Sequence, residues 1–421
     1  MKSRINVSPL SNTLLYVLSS ALSALITFAA LPIFTKFLSP AEYGNIGMFQ
    51  SLYLGGAAFL SFSVNIYCEK KILKDNTMCE RSIISNAIFF VFFITILLLI
   101  IPRSLFSPLM GLLGVPIQWY YFCVICLSSQ VVMTICLSYF TVIKKASYFF
   151  LTTMGNISLN ILLSLLLIIY FDMKSEGRVF GLAGAGIVLL ITTCVFFIRT
   201  NKIRLDSISI ATQKEIFQFG LKLLPHAFGF FILNFMDRIV VNNELGVGSA
   251  GIYILAVQLS GFILLFYVSA NKAYLPWVYN KLNKKNVDQV INSLKHLFLF
   301  SSILFIFNYY LSDFILPIFI SKEYLPSIVL FKTLSAGAFL SGLFVFLSTI
   351  VIYFDKTIYL SKLTFFSAIS NVLLLMMIVP IFGLEGAIFV FVVTRLIQLS
   401  IGIFSVIKLL EAHRELGRAQ I

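Results

Sequence analysis

The chain has 421 residues, of which 59% are hydrophobic and only 11% are charged. Soluble domains are about 45–50% apolar and about 25% charged, so this sequence has too few polar residues to cover a water-soluble core, and its mean hydropathy of +0.98 agrees. The same figures exclude a disordered chain, a fibrous repeat and a disulfide-rich secreted domain. The formal net charge of +14 is typical of basic cytoplasmic loops in a polytopic membrane protein, and we expect no nucleic-acid partner.

Apolar stretches long enough to cross a bilayer, about 20 residues each, follow one another along the whole chain. We predict twelve of them, at residues 10–37, 42–66, 82–102, 117–142, 148–171, 179–199, 215–241, 249–273, 291–312, 324–352, 358–381 and 384–408. The segments between them are short and leave no room for a soluble catalytic domain. The sequence therefore predicts an all-α polytopic membrane protein with about twelve transmembrane helices.

Basic residues are distributed unequally between the two sets of alternate loops. The loops on the side of the N-terminus carry 20 Lys and Arg residues, beginning with Lys2 and Arg4. The opposite side has five, which are Lys36, Arg103, Lys174, Arg178 and Lys322. By the positive-inside rule, both termini are expected in the cytoplasm.

Three short patterns occur twice at similar spacings, which indicates an internal duplication. Residues 180–185 (FGLAGA) recur as 382–387 (FGLEGA) at an offset of 202. Leu38 and Gly44 recur as Leu245 and Gly251 at an offset of 207, and the third pattern has an offset of 211. It pairs Tyr148 and Asn160 with Tyr359 and Asn371. We predict two homologous six-helix lobes, residues 1–205 and 206–421, around a central cavity, with alternating access by rocking of the lobes.

Patterns typical of enzymes are missing from the sequence. The three histidines, His226, His296 and His413, have no carboxylate or cysteine partner at metal-ligand spacing. No nucleotide-binding glycine motif occurs either, and no span has paired acidic residues. We therefore expect no catalytic residue, no metal and no cofactor, and a transporter rather than an enzyme.

Six basic residues fall inside the predicted spans, where a charge is costly and normally faces a bundle interior or a watery cavity. They are Lys222, Arg238, Lys272, Lys295, Lys332 and Arg395. Arg395 follows Gly383 by 12 residues, about 18 Å along a helix, and so is expected near the middle of the membrane. Lys272 and Lys295 are near the cytoplasmic face, where a lysine can extend to the surface.

A cationic cavity lining is the substrate-binding hypothesis that follows from these charges, because few acidic residues lie inside the spans. Asp237 is nearly alone there, and Asp313 is near a span end. Arg238 directly follows Asp237, so a structural ion pair between them is the alternative reading. The predicted lining consists of Arg395, Lys332, Lys222, Arg238 and Lys272, with Asp237, Asn160 and Asn371 in support. Such a cavity favours an anionic substrate such as a phosphate or diphosphate.

Several motifs resemble one family of membrane proteins. Residues 38–44 (LSPAEYG) resemble the L-x-P-x-x-Y/F-G signature of bacterial polysaccharide transporters. Asp237-Arg238, Leu245-Gly246 and residues 250–253 (AGIY) resemble the segment between spans seven and eight in the same family. In combination, the motifs resemble those of the O-antigen flippases (Wzx type) in the multidrug/oligosaccharidyl-lipid/polysaccharide (MOP) superfamily.

The resemblance implies movement of an undecaprenyl-diphosphate-linked oligosaccharide, the O-antigen repeat unit, from the cytoplasmic to the periplasmic leaflet of a bacterial inner membrane. The diphosphate would lie in the cationic cavity and the lipid tail in the bilayer, and the partners would be membrane lipids and other O-antigen assembly proteins. Members often carry a basic residue near the end of span two, where this chain has NIYCEKK at residues 65–71.

Three other functions share part of this pattern. A cation-coupled multidrug exporter of the same superfamily commonly has an acidic residue in the first span, and residues 10–35 contain none. A lipid II flippase usually has more than twelve spans. A membrane glycan polymerase or ligase typically has a large periplasmic loop, which this sequence lacks.

Overall fold

The structure is a computed structural model that describes residues 9–74 and 80–418. Lys2, Arg4, Asn76 and Cys79 lie outside the described residues. Within them, the α-helices are α1 (Pro9–Phe37), α2 (Pro40–Leu60), α3 (Val64–Lys74), α4 (Glu80–Ile100), α5 (Ser107–Leu112), α6 (Tyr120–Val142), α7 (Ala146–Leu165), α8 (Lys174–Arg199), α9 (Ile210–Asn283), α10 (Val287–Phe319), α11 (Pro326–Tyr353) and α12 (Thr357–Arg418). The described chain contains no β-strand, which confirms the all-α class.

Two of these helices are too long for one crossing of a membrane. The 74 residues of α9 and the 62 of α12 would each extend more than about 90 Å, against a hydrocarbon core of about 30 Å. Each is interrupted by a glycine in the left-handed region, Gly246 with φ 83° and Gly383 with φ 59°. Glycine adopts this conformation without steric cost, so these two positions divide α9 and α12 into two segments each.

Helices α2 and α3 meet at a bend of 43° and are together long and apolar enough for one broken span. The sequence predicts one span over 42–66, and its hydropathy does not indicate this break. Phe62 and Ser63 have positive φ values of 42° and 52°, and the Ser63 amide donates to the Ser61 hydroxyl at 3.2 Å instead of continuing the helix. With this pair counted once and the two interrupted helices counted twice, the described residues contain twelve spans, as predicted.

The chain forms two compact units. The first comprises the described residues up to Leu38 and Asn45–Phe231, and the second comprises Ser39–Gly44 and the described residues from Ile232 onward. In the first unit, α7 packs against α1 and α8, and α6 packs against α3, α4 and α8. In the second, α11 packs against α10 and α12. The division of the sequence after residue 205 into two homologous six-helix lobes stays a prediction.

The turns that precede α7 and α12 have the same hydrogen-bond pattern, at the 211-residue spacing of the repeat. In the first unit, Lys144 has φ 57°, and the Lys145 amide donates to the Phe140 carbonyl at 2.9 Å. In the second, Asp355 has φ 56°, and the Lys356 amide donates to Val351 at 3.2 Å. Both are Schellman turns, which end a helix with a left-handed residue. The ends of α8 and α9 have the same turn, at Asn201 and Lys285, so the duplication stays a prediction.

The 207-residue repeat makes a direct contact inside the second unit. A Cβ atom at Gly44 would lie 2.1 Å from the Val247 carbonyl oxygen, and one at Gly251 would lie 1.8 Å from the Pro40 carbonyl oxygen. Each glycine thus packs against the backbone four residues before the other. No other residue type permits this approach without a shift of the backbone, because real Cβ contacts are never this short.

The connection between α8 and α9 is fixed to α4 in the first unit. Asn86, which is fully buried, donates to the Ser207 carbonyl at 3.0 Å and accepts from the Ser209 amide and from Gln213 Nε2, each at 3.0 Å. Lys202 forms a hydrogen-bonded ion pair with Glu80. Burial lowers the pKa of Lys202, but hydrogen bonds to Glu80 and Tyr139 outweigh burial and raise the pKa above its ordinary value. Lys202 is therefore charged at neutral pH.

Topology reporters test the orientation that the charge distribution predicts. We expect cytoplasmic signals from fusions at Asn76, Asn201 and Lys284, and periplasmic signals from fusions at Ser175 and Glu323, because basic loops are retained in the cytoplasm. Paired phosphatase and fluorescent-protein fusions at each position measure this. A periplasmic signal at Lys284 would contradict the twelve-span topology.

Candidate substrate-binding site

A buried carboxylate lies at the centre of the candidate site in the second unit. Asp237, on the first segment of α9, is 5% exposed. Its Oδ2 accepts a hydrogen bond from the Tyr253 hydroxyl at 2.8 Å, and its Oδ1 accepts from the Arg238 amide at 2.9 Å. Tyr253 is fully buried on the second segment of α9. A buried charge is costly unless it is hydrogen-bonded and paired, and these contacts satisfy the first condition.

The guanidinium of Arg395 reaches the same turn of α9 from the second segment of α12. Its Nη2 donates to the Leu233 carbonyl at 3.2 Å, one helical turn before Asp237, and its Nη1 donates to Gln398 Oε1 at 3.2 Å. The guanidinium carbon lies 5.2 Å from the Phe391 ring centroid. Arg395 and Arg238 are both close enough to Asp237 for electrostatic attraction. The cluster thus has two guanidinium groups and one carboxylate.

Arg395 keeps hydrogen-bonding capacity for a ligand. A guanidinium has five N–H groups, and among the described residues two of them are engaged, by Leu233 and Gln398. Both acceptors are neutral, so they orient the side chain without cancelling its charge. Planar guanidinium groups bind phosphate oxygens in pairs. The arrangement can therefore hold an anionic group that enters beside α12.

Arg238 lies close to an aromatic ring and to the Asp237 carboxylate. Its side chain is half-buried, and the guanidinium carbon lies 5.3 Å from the Phe235 ring centroid. Its backbone amide binds Asp237. The hydrogen bonds to Asp237 come from the Arg238 backbone and from Tyr253.

Lys332 is neutralised, and the expectation that its charge is uncompensated is wrong. Its Nζ lies 2.7 Å from Asp313 Oδ2 and 4.9 Å from the Tyr309 ring centroid. The sequence placed Asp313 beyond the end of span nine at residue 312. In the structure α10 continues to Phe319, so Asp313 lies within the helix, beside Lys332 on α11.

The other two predicted lysines have exposed side chains. Lys222 lies on α9 in the first unit, and Lys272 lies on α9 in the second unit. Within the described part of the second unit, Lys272 makes no hydrogen bond or ion pair with the Asp237 cluster. Of the five predicted cationic residues, the structure brings Arg238 and Arg395 together at Asp237.

Arg178 is a half-buried cationic residue of the first unit that the sequence analysis assigned to a loop. It lies inside α8, and its Nη1 donates to Asn160 Oδ1 at 2.5 Å and to Ser164 Oγ at 2.8 Å. The guanidinium carbon lies 4.7 Å from the Phe34 ring centroid. The assignment was wrong because α8 begins at Lys174, five residues before the predicted span.

The two repeat-related asparagines each bind the next span of their own unit. Asn160 on α7 accepts from Arg178 on α8. Asn371, 5% exposed on the first segment of α12, donates to Thr394 Oγ1 on the second segment at 3.2 Å. Thr394 directly precedes Arg395. Both asparagines therefore support a span that carries a half-buried arginine, although their partners are at different depths along that span.

Comparison with known proteins identifies the family. Residues 10–280, well over half of the chain, match the family described as polysaccharide biosynthesis protein. The Lsg locus putative protein 1 of Haemophilus influenzae is 32% identical over 89 residues, which are 21% of this chain and 22% of that protein.

Solved structures of MOP superfamily transporters have the same fold. An inward-facing multidrug resistance MATE family transporter has a TM-score of 0.66 at 14% identity, covering 98% of this chain and 97% of its own. A MOP superfamily transporter from Pyrococcus furiosus, described as having a binding pocket of reverse polarity that suggests a different function, has a TM-score of 0.67 at 14% identity, with 97% of both chains covered. These likenesses confirm the all-α fold. The chain belongs to the polysaccharide biosynthesis protein family and has the fold of the MOP superfamily transporters.

Proposed function

We propose that the protein is a flippase for an undecaprenyl-diphosphate-linked oligosaccharide, the O-antigen repeat unit. It moves this lipid from the cytoplasmic to the periplasmic leaflet of the bacterial inner membrane by alternating access, with both of its own termini in the cytoplasm. Membership of a polysaccharide biosynthesis family and the MOP transporter fold support a glycan-related cargo. The observation that carries the proposal is the Arg395 side chain, oriented by neutral acceptors at membrane depth.

The chemistry of the Asp237 cluster supports an anionic cargo. Two guanidinium groups and one carboxylate leave an excess of one positive charge, which a phosphate of the cargo would compensate. In a medium of low dielectric constant such compensation is stronger than in water. Asp237 attracts both guanidinium groups when no cargo is bound. Arg178 supplies a second half-buried guanidinium in the first unit, and Lys222 and Lys272 are further cationic candidates for the same pathway.

Transport of a defined lipid by the purified protein tests the proposal. The full-length chain is reconstituted in vesicles that carry a lipid-diphosphate oligosaccharide, and a periodate- or lectin-accessible label reports its appearance in the opposite leaflet. We expect movement that requires the protein and the diphosphate, and no movement of a neutral glycolipid with the same sugars. A membrane glycan polymerase would instead lengthen the oligosaccharide.

The complementary test is in cells. The gene is expressed in its parent strain after deletion of the O-antigen flippase, and surface O-antigen is measured. We expect restored O-antigen and unchanged sensitivity to cationic drugs. Increased drug resistance without O-antigen would contradict the proposal and identify a multidrug exporter.

A further inference from the structure

A groove of about 560 Å³ lies in the second unit between α10, α11 and the second segment of α12. This volume is in the usual range of sites that hold small molecules, about 300–1,000 Å³. The walls are almost entirely apolar. They include Leu294 and Phe298 of α10, Leu347 of α11, and Ile403, Val406 and Leu410 of α12. None of the residues discussed for the diphosphate lines this groove.

Three of the side chains that line the groove are charged. They are Lys295, Glu411 and Arg414. Arg414, near the end of α12, is 3.1 Å from the carboxylate of Asp288 near the start of α10, and this pair is neutral overall. Lys295 and Glu411 are exposed on opposite walls, and among the described residues neither has a polar or ionic partner.

The lining of the groove therefore carries one uncompensated positive charge and one uncompensated negative charge beside an apolar channel. Lys295 lies eight residues, about 12 Å, into α10, and a lysine can extend its ammonium along the helix toward a membrane surface. A ligand that fits needs a long apolar chain and a head group with both charges. An anionic lipid would bring its negative head group against Glu411. A lipid without charged groups in its head group would leave both Lys295 and Glu411 uncompensated.

We propose that the groove binds one chain of a zwitterionic aminophospholipid of the surrounding bilayer. The phosphate lies against Lys295, and the primary ammonium donates to the Glu411 carboxylate. Both contacts are charge-assisted hydrogen bonds, the stronger class of such bonds in proteins. The proposal concerns a lipid that the protein retains and does not depend on the cargo it transports.

Native mass spectrometry of the full-length protein in detergent tests the site. Phosphatidylethanolamine, phosphatidylglycerol and undecaprenyl phosphate are added separately at graded concentrations. We expect phosphatidylethanolamine to bind about tenfold more tightly than the other two, because a charge-assisted bond contributes about a factor of ten or more. Lys295→Gln and Glu411→Gln are each expected to weaken its binding about tenfold, and the control Lys356→Gln, an exposed turn residue, is expected to have no effect.

A second pair of variants tests the channel itself. Ile403→Trp places a large ring in the groove, whereas Ile401→Trp places it on the same helix outside the groove, and both positions are exposed enough to accept it. We expect only Ile403→Trp to abolish retention of phosphatidylethanolamine. Equal retention in both tryptophan variants would overturn the groove as the site. Tighter binding of phosphatidylglycerol or undecaprenyl phosphate, or an unchanged lipid preference in Glu411→Gln, would overturn the zwitterionic head group.

Discussion

Arg395→Ala is expected to reduce export of the lipid-linked oligosaccharide at least tenfold while the protein level in the membrane stays normal. A hydrogen bond to a charged group contributes about 1.5–3 kcal/mol, and 1.4 kcal/mol is a factor of ten. Arg395→Lys should lie between the parent and the alanine variant, because an ammonium is a point charge and cannot bind a diphosphate through two parallel bonds. The measurement is surface O-antigen per unit of membrane-inserted protein.

The control for this variant is Arg199→Ala, which removes an exposed arginine at the end of α8 and should leave export unchanged. Gln398→Ala removes one of the two acceptors that orient Arg395. It should weaken export less than Arg395→Ala does, since the Leu233 carbonyl remains. Full export by Arg395→Ala at a normal protein level would exclude a substrate contact by this arginine.

Gly251→Ala is expected to cost about 3 kcal/mol or more of stability and to reduce the amount of folded protein severely. Overpacking of a tight core costs about 1–3 kcal/mol, occasionally more, and this Cβ atom would meet the Pro40 carbonyl oxygen at 1.8 Å. A carbonyl oxygen is part of the backbone and cannot move aside as a side chain can. Gly44→Ala, with the Val247 oxygen at 2.1 Å, should have a similar effect.

Gly248→Ala is the matched control, because a Cβ atom there would have no neighbour within 4 Å. In a helix, alanine is favoured over glycine by about 1 kcal/mol, so this variant should be unchanged or slightly more stable. Thermal unfolding in detergent and the fraction of monodisperse protein measure both changes. If Gly251→Ala and Gly248→Ala had equal melting temperatures, the close helix approach at Gly251 would be contradicted.

Most of the fold could be predicted because the bilayer requires long apolar segments, and these are visible in the sequence. The two interrupted helices show where such prediction is strong. Gly246 and Gly383 lie where one predicted span ends and the next begins, and both adopt positive φ. The bend at Ser61–Ser63 was not predictable from hydropathy, because a local hydrogen bond of Ser61 and two left-handed residues produce it within an apolar stretch.

The candidate site was less predictable, because the partner of a charge depends on packing across helices. The Asp237–Arg238 pair is adjacent in sequence and was visible there. The Tyr253 and Leu233 contacts depend on how two helix segments meet, and no sequence pattern gives that geometry. Asp313 and Arg178 each lie one residue outside a predicted span but inside an observed helix, because α10 ends at Phe319 and α8 begins at Lys174. In each case the difference changes which charges count as uncompensated.

The contact between Gly44 and Gly251 has the reciprocity of an isologous interface. In such an interface, residue i of one copy meets residue j of the other, and residue j of the first meets residue i of the second. Here Gly44 meets Val247 and Gly251 meets Pro40, and the offset of 207 residues converts each pair into the other. A chain of half this length could therefore make the same contact between two identical copies, related by a two-fold axis through the glycines. A gene that encoded such a homodimer would give this protein by duplication and fusion, with this close helix crossing already present in the ancestor.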